Sequence, residues 1–109
     1  MVADHELPVP PSWARDDPAF EAAVLRAFMR DGRLATIPAR ERKKLVVYRH
    51  LLERVFPDPA EAVQERDVNM RLALIHPDVA TIRRAFVDFG FVTREGMVYR
   101  RRVPLRDRA

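Results

Sequence analysis

The amino-acid sequence predicts a single α+β domain in which helices are followed by a C-terminal β-hairpin. Three observations lead to this prediction. The 109 residues suit one hydrophobic core, and 48% hydrophobic residues are enough to fill it. Apolar side chains recur at helical spacing between residues 18 and 89. Two β-prone runs then flank Glu95-Gly96, a pattern typical of a hairpin.

Residues 1–17 predict an extended, proline-rich leader, because Pro8, Pro10 and Pro11 stand among few apolar side chains. Trp13 is the exception, and a tryptophan in such a segment usually packs on the surface of its own domain. Residues 104–109 predict a loose basic tail. The domain itself is therefore expected to span residues 18–103.

The first predicted helix begins at Asp17-Pro18, where aspartate can cap the helix and proline fits its first turn. Asp31-Gly32 predicts its end, because glycine readily adopts the left-handed conformation that closes a helix. Alternating apolar and polar residues from Arg33 to Pro38 predict a short strand, which needs a partner from elsewhere in the chain.

Three further helices are predicted, each from an apolar stripe at helical spacing. The first spans residues 39–55 and ends before Phe56-Pro57-Asp58-Pro59. The second spans 64–75, and the third, 79–89, carries the clearest stripe. Only His76-Pro77-Asp78 separates the last two, which is the short interruption that a helix–turn–helix requires.

The predicted hairpin consists of Phe91-Val92-Thr93-Arg94 and Met97-Val98-Tyr99-Arg100. This gives the order helix, short strand, helix, helix–turn–helix pair and hairpin. The order matches a winged helix, with the hairpin as the wing, the early strand completing its sheet and one extra helix at the N-terminus. We therefore expect an α+β, winged-helix-like fold.

Composition excludes several classes of protein. The sequence has no cysteine, which excludes disulfides and thiolate sites and fits a reducing compartment. No apolar run approaches the roughly 20 residues of a membrane span. Residues 1–6 lack the basic start and apolar stretch of a signal peptide. We therefore expect a cytoplasmic protein with no membrane partner.

Signatures of catalysis and metal binding are missing from the sequence. The three glycines form no phosphate-binding loop, and neither paired carboxylates nor a G-x-S-x-G motif stand out. His5, His50 and His76 lack the spacing of a metal site. The expectation is a protein that is not an enzyme and uses no metal or cofactor.

Positive charge is concentrated at the C-terminal end of the chain. The net charge is +4, of which residues 1–31 carry −3, residues 32–78 carry +2 and residues 79–109 carry +5. A clustered basic field attracts polyanions and releases their counterions on binding, so nucleic acid is the partner that this distribution favours. A solvated surface in an arginine-rich chain is the simpler alternative.

The last predicted helix carries the first candidate binding residues. Thr81, Arg83 and Arg84 lie off its apolar stripe, where helix–turn–helix proteins read the major groove. Arg84 is the preferred base-reading residue, because arginine can donate two hydrogen bonds to guanine. The alternative is that these arginines keep the helix soluble or pair with acids such as Asp88.

The hairpin carries Arg94, Arg100 and Arg102, which could follow a phosphate backbone as a wing does. Strand alternation places Arg101 on the opposite face from Arg100 and Arg102. A charged edge strand that resists aggregation explains the same residues equally well.

Lys43 and Lys44, beside Arg40 and Arg42, form a second basic group near the start of a predicted helix. Cations oppose the helix dipole at that end. Their presence therefore points to a phosphate nearby, although surface lysines and arginines are common.

A set of short motifs occurs in one order along the chain: Gly32-Arg33-Leu34, Ile37-Pro38, Lys43-Lys44, Val68-Asn69, His76-Pro77-Asp78, Thr81-Ile82-Arg83-Arg84, Val87-Asp88-Phe89-Gly90, Arg94 and Tyr99. Together they resemble the bacterial family called domain of unknown function 2087, from about Asp31 to Arg101. Members of that family often follow a helix–turn–helix domain, so the resemblance implies a link to transcription regulation. It supplies no reaction and no ligand. This sequence departs from the family in showing no fused helix–turn–helix domain and in the proline-bearing acidic stretch between Phe56 and Gln64.

Two functional hypotheses follow. The leading one is a transcription-regulator-type domain that binds nucleic acid, with DNA favoured, through its basic helix and wing. The alternative is a protein-interaction or dimerisation module, either homodimeric or docked on a separate regulator, with no direct nucleic-acid contact. The first requires the arginines after Pro77 to share one exposed surface, and the second requires an exposed apolar patch around Trp13 and Phe20.

Overall fold

The computed structural model describes residues 11–102. Its elements are α1 (Pro18–Phe28), β1 (Met29–Arg30), β2 (Arg33–Leu34), α2 (Glu41–Val55), β3 (Ala62–Gln64), α3 (Glu65–Ala73), α4 (Val79–Asp88), β4 (Val92–Glu95) and β5 (Val98–Arg101). A 3-10 turn at Pro11–Trp13 comes before them. Four helices and two small antiparallel sheets in this part of the chain confirm the predicted α+β class. The predicted tail, 104–109, and residues 1–10 of the predicted leader lie outside the described residues.

The four predicted helices form, with shifts of a few residues at their ends. Asp17 caps α1 by accepting the backbone N–H of Phe20 at 3.0 Å. Asp78 caps α4 by accepting that of Thr81 at 3.3 Å. These aspartates satisfy N–H groups that have no partner inside the helix, which fixes where each helix begins. No helix within residues 11–102 has both the length and the apolar character to cross a bilayer.

The Asp31-Gly32 pair is a hairpin turn and not the predicted end of a helix. α1 already ends at Phe28, and β1 then pairs with β2 around the turn. Asp31 and Gly32 have φ angles of 52° and 79°, as a two-residue type I′ turn requires. The strand predicted from Arg33 to Pro38 is therefore only two residues long, because its partner is the equally short β1.

The second sheet has the strand order β3-β5-β4. The prediction that the early strand completes this sheet is wrong, because β2 pairs elsewhere and β3 takes that place. Only Val63 of the three β3 residues is buried, and so short a strand shows too little alternation to be recognised from sequence. The loop between β4 and β5 is Gly96-Met97, one residue later than predicted.

The core lies where α2, α3 and α4 meet the inner face of this sheet. The rings of Tyr48 and Phe56 contact the ring of Phe86 edge to face, with centroids 6.4 and 6.1 Å apart. Ile82 and Phe86 of α4 are buried. Burial of this stripe turns the opposite side of α4 toward solvent, which is the side that carries Thr81 and Arg84.

Residues 12–17, which we call the N-terminal strap, pack on the domain although the sequence predicts an extended leader there. Ser12 is buried, and its hydroxyl donates to the carbonyl of Phe89. The indole Nε1 of Trp13 donates to the carbonyl of Gly90 at 3.3 Å. Trp13 thus lies on the surface of its own domain, as expected.

Arg49 of α2 holds the N-terminal strap on the domain through hydrogen bonds. Its Nη1 donates to the carbonyls of Ser12 and Ala14 at 2.9 and 2.7 Å, and its Nη2 donates to the Glu21 carboxylate at 3.1 Å. The residue is only 7% exposed. A charged group buried to this extent is stable only with such partners, so the strap and Arg49 depend on each other.

Candidate nucleic-acid interface

The exposed face of α4 carries Thr81, Arg84 and Asp88. They lie opposite the buried stripe because successive residues of a helix turn by about 100°. The Thr81 hydroxyl donates to Asp78 at 2.7 Å. Hydrogen bonds from the side chain and backbone of Thr81 hold the pKa of Asp78 below its usual range, with smaller electrostatic contributions from His76 and Arg84. Thr81 is therefore first of all a hydrogen-bond partner of the capping residue Asp78.

An open groove of about 390 Å³ runs between α2 and α4. We call it the α2–α4 groove, and its lining residues are Lys44, Tyr48, Thr81, Arg84, Ala85, Asp88 and Phe89. Two helices distant in sequence thus bring Lys44 and Arg84 to one surface. Within residues 11–102, neither cation lies within 4.0 Å of a carboxylate oxygen. Asp88 is the acidic residue of this groove.

Arg83 faces away from this groove, toward α3. Its Nη1 donates to the Asn69 side-chain oxygen at 2.6 Å, and its Nε lies 3.8 Å from the Glu65 carboxylate. The Arg83 side chain is 16% exposed. Although Arg83 and Arg84 are adjacent in sequence, they therefore lie on different sides of α4.

Two residues of the hairpin, Tyr99 and Arg94, also lie against Glu65. The hydroxyl of Tyr99 donates to the Glu65 carboxylate at 2.6 Å, and Nη2 of Arg94 lies 3.8 Å from the same oxygen. The hydrogen bond from Tyr99, and then the charges of Arg83 and Arg94, lower the pKa of Glu65. Burial, and then the Glu65 carboxylate, raise the pKa of Tyr99.

We call Glu65, Asn69, Arg83, Arg94 and Tyr99 the Glu65 cluster. Sequence reasoning missed it because four elements, α3, α4, β4 and β5, each contribute one or two of its residues. No local pattern connects positions so far apart. The one available signal is that all of them except Glu65 fall in the motifs that carry the family resemblance.

The arginines of the hairpin lie on both faces of its sheet. Arg94 is the cross-strand neighbour of Tyr99, so it shares the inner face, whereas Arg100 is opposite Thr93 and exposed on the outer face. Arg102 follows β5, is half-buried and donates from Nη1 to the Gly90 carbonyl at 3.3 Å. Arg94, Arg100 and Arg102 therefore do not lie together on one face of the hairpin.

Lys43 belongs to a different surface from Lys44. Its ammonium lies 5.8 Å from the centre of the Phe28 ring. It lines a second groove of about 600 Å³ with Phe20, Arg40, Glu41 and Arg42. Arg42 in turn covers the Phe20 ring at 3.7 Å and donates twice to Asp16, both at 2.8 Å. The eight predicted binding residues thus divide among several surfaces, with Lys44, Thr81 and Arg84 together.

Exposed apolar side chains are found away from the predicted protein contact. Trp13 and Phe20 are partly covered, by the domain and by Arg42 respectively. The large apolar side chains exposed in the described chain are Met70 at 67%, Leu74 at 72% and Met97 at 60%. Met70 lies on the outer side of α3, and Leu74, four residues later, directly follows the helix with helical φ and ψ angles, so the two side chains form one small apolar strip.

A comparison with protein families matches the segment of the chain that contains most of these features. The family described as "Uncharacterized protein conserved in bacteria (DUF2087)" matches residues 33–101. Searches of curated proteins and of solved structures gave no match. The matched segment runs from β2 to β5 and includes the α2–α4 groove and the Glu65 cluster, while α1 and the N-terminal strap precede it. Because more than half of the chain is matched, the protein belongs to the DUF2087 family.

Proposed function

We propose that this protein binds nucleic acid, with duplex DNA favoured, through the α2–α4 groove, and that α2 to β5 form a winged helix. The order of elements supports the fold proposal: a helix, a strand, two helices and a hairpin, with the first strand beside the last. In such folds the second helix of the helix–turn–helix enters the major groove. Here that helix is α4.

The observation that carries the proposal is the pairing of Lys44 and Arg84 across one open groove without a carboxylate within 4.0 Å. Cations that form no ion pair within 4.0 Å keep their hydrogen-bond donors available to phosphates. Arg84 can also grip guanine through O6 and N7, and Asp88 beside it can accept from the amino group of cytosine. The groove thus offers one phosphate contact and two base contacts.

The arginines after Pro77 do not share one exposed surface, so the proposal includes no continuous helix-and-wing surface and depends on the α2–α4 groove alone. Arg83 and Arg94 face Glu65, and Arg100 lies on the outer face of the sheet. Fewer phosphates are contacted than a continuous helix-and-wing surface would reach. If Lys44 makes that one phosphate contact, the logarithm of affinity should fall with the logarithm of salt concentration at a slope of about −0.9.

The test is a fluorescence-anisotropy titration of random duplex and single-stranded DNA at several salt concentrations. Replacing Lys44 and Arg84 by Gln should weaken binding and flatten the salt slope toward zero. Replacing Arg26 and Arg30 by Gln is the matched control, because it also removes two exposed positive charges, both outside the family segment. Binding by neither DNA at about 50 mM salt would contradict the proposal.

The apolar strip on α3 supports a second candidate function, which is self-association with another copy of the chain. Met70 and Leu74 are mostly exposed on one side of α3. Two side chains cover far less than the roughly 800 Å² per partner of a stable dimer, so the association should be weak. Light scattering over a concentration series should show a rising mass that the double substitution Met70→Gln and Leu74→Gln abolishes. A constant monomer mass would exclude it.

A further inference from the structure

We propose that Arg83, Arg94 and Tyr99 form an oxyanion site for a phosphate group, and that the Glu65 carboxylate fills this site from within the protein. The site is separate from the α2–α4 groove and does not depend on nucleic-acid binding there. Its three donors come from α4, β4 and β5 and converge on one carboxylate oxygen of α3.

The two guanidinium groups keep most of their donors free. Arg83 Nε and Arg94 Nη2 lie 3.8 Å from the Glu65 oxygen, which is too far for a hydrogen bond. Arg94 uses Nε on the Gly96 carbonyl at 2.8 Å, and Arg83 uses Nη1 on Asn69. Within residues 11–102 the remaining guanidinium nitrogens of both residues make no hydrogen bond. Charge attraction therefore holds the arginines near Glu65 without using their donors.

Each donor is oriented by a contact other than Glu65. The bond to Asn69 orients Arg83, and the Gly96 carbonyl orients Arg94, whose guanidinium also lies 5.8 Å from the centre of the Tyr99 ring. Tyr99 is fixed in the sheet with 2% exposure. Planar guanidinium groups present parallel donors that match the oxygens of a phosphate. The site is thus arranged for an oxyanion before one binds.

Access to the site is from the side of Arg94. The Arg94 side chain is 50% exposed, while the side chains of Arg83 and Glu65 are 16% and 17% exposed. A phosphate approaching past Arg94 takes over the hydrogen bond of the Tyr99 hydroxyl and displaces the carboxylate. A phosphate dianion gains more from two arginines than a monocarboxylate does, but it must compete with Glu65. Glu65 therefore keeps the affinity of the native protein low.

The test follows the arginine Nε–Hε signals of the full chain by NMR during titration with inorganic phosphate. In Glu65→Gln the Arg83 and Arg94 signals should shift, with affinity at least about tenfold above that of the native protein, because a like charge has been removed. Adding Arg94→Gln should abolish the gain. Adding Arg100→Gln, the matched loss of charge on the other face of the same sheet, should leave it.

The proposal is overturned if Glu65→Gln binds phosphate no better than the native chain, or if Arg100→Gln removes the gain as fully as Arg94→Gln. Circular dichroism checks that Glu65→Gln is folded. If it is not, the native chain and its Arg94→Gln variant are compared instead, and equal phosphate affinities overturn the proposal.

A second arm identifies the source of the phosphate. Short duplex DNA added to Glu65→Gln should shift the Arg94 signal if the site takes a nucleic-acid phosphate, whereas a response to inorganic phosphate alone indicates a free phosphate compound. Since the phosphate titration contains no DNA, its result is independent of whether the α2–α4 groove binds nucleic acid.

Discussion

The hydroxyl of Tyr99, in β5, donates a 2.6 Å hydrogen bond to the carboxylate of Glu65, the first residue of α3. This bond ties the hairpin to the helices. The same carboxylate faces Arg83 and Arg94, so one acidic residue lies against two arginines that the sequence assigns to a binding surface.

Tyr99→Phe should lower the free energy of unfolding by about 2 kcal/mol, because Glu65 loses a charge-assisted hydrogen bond in a largely buried place. Urea unfolding measures the change. Tyr48→Phe is the control, since the Tyr48 hydroxyl has no hydrogen-bond partner within residues 11–102. Equal losses in the two variants would contradict a special role for the bond between Tyr99 and Glu65.

The stability contributed by Glu65 should depend on pH. The hydrogen bond from Tyr99, and then the charges of Arg83 and Arg94, lower the pKa of Glu65 from 4.5. A carboxyl whose pKa is lower in the folded state stabilises the fold above its unfolded pKa, and this contribution is lost as pH falls through the folded pKa. The loss caused by Tyr99→Phe should be full at neutral pH and shrink below about pH 4. Urea unfolding of the native chain and of Tyr99→Phe, at neutral pH and below about pH 4, measures this change in the loss of stability. An equal loss under the two conditions would refute the pH dependence.

Arg42→Gln should raise the pKa of Asp16. The hydrogen bonds from Arg42 are the main cause that lowers this pKa from 3.8 to about 2. Carboxyl NMR of Asp16 should therefore show a titration midpoint near the usual value in the variant. Arg40→Gln, which removes a cation that makes no contact with Asp16, should leave the midpoint low. In the native chain the stability from this pair is lost as pH falls from about 4 to about 2.

Arg49→Met should destabilise the protein by about 3 kcal/mol, because the carbonyls of Ser12 and Ala14 and the carboxylate of Glu21 lose a buried partner. Methionine keeps most of the side-chain volume, so the effect reports on the guanidinium. Arg26→Met, at an exposed position of α1, should change stability by less than about 0.5 kcal/mol. A similarly small change for Arg49→Met would mean that the packing of the N-terminal strap does not depend on the Arg49 guanidinium.

Gly96→Ala should cost about 1 kcal/mol, since Gly96 has a φ of 61° and any other L residue is strained there. Apart from Gly96 and its two chain neighbours, no residue has an atom within 4 Å of the position of an added Cβ, so the cost is conformational. Gly96→Asn should cost less, because asparagine tolerates positive φ. Thermal unfolding of the two variants ranks them, and the reverse order would contradict this account.

The helices could be predicted from sequence because their apolar stripes are long enough to define a period, as in Ile82 and Phe86 of α4. The short strands could not. Val63 is the one buried residue of β3, and Asp31-Gly32 suits a helix end as well as a hairpin turn until its pairing partner is known. Strands of two or three residues depend on contacts distant in sequence, which local patterns do not encode.

The placement of the candidate binding residues was predicted only in part, for a similar reason. Helical geometry correctly puts Thr81 and Arg84 on the exposed side of α4. What sequence could not reveal is the acid that faces Arg83 and Arg94, because Glu65 precedes them by many residues and reaches them only through packing of α3 against α4 and the hairpin. Pairing across elements decides which charges stay available.

The N-terminal strap has a consequence for any attempt to study the family segment alone. Trp13 covers the Phe91 ring with centroids 5.7 Å apart, and Ser12 closes the C-terminal end of α4. A polypeptide trimmed to residues 33–101 would leave an aromatic ring and the Arg49 guanidinium uncovered. Its surface would then include an apolar and positively charged region that the intact chain covers. Polyanions in solution would bind to that region non-specifically.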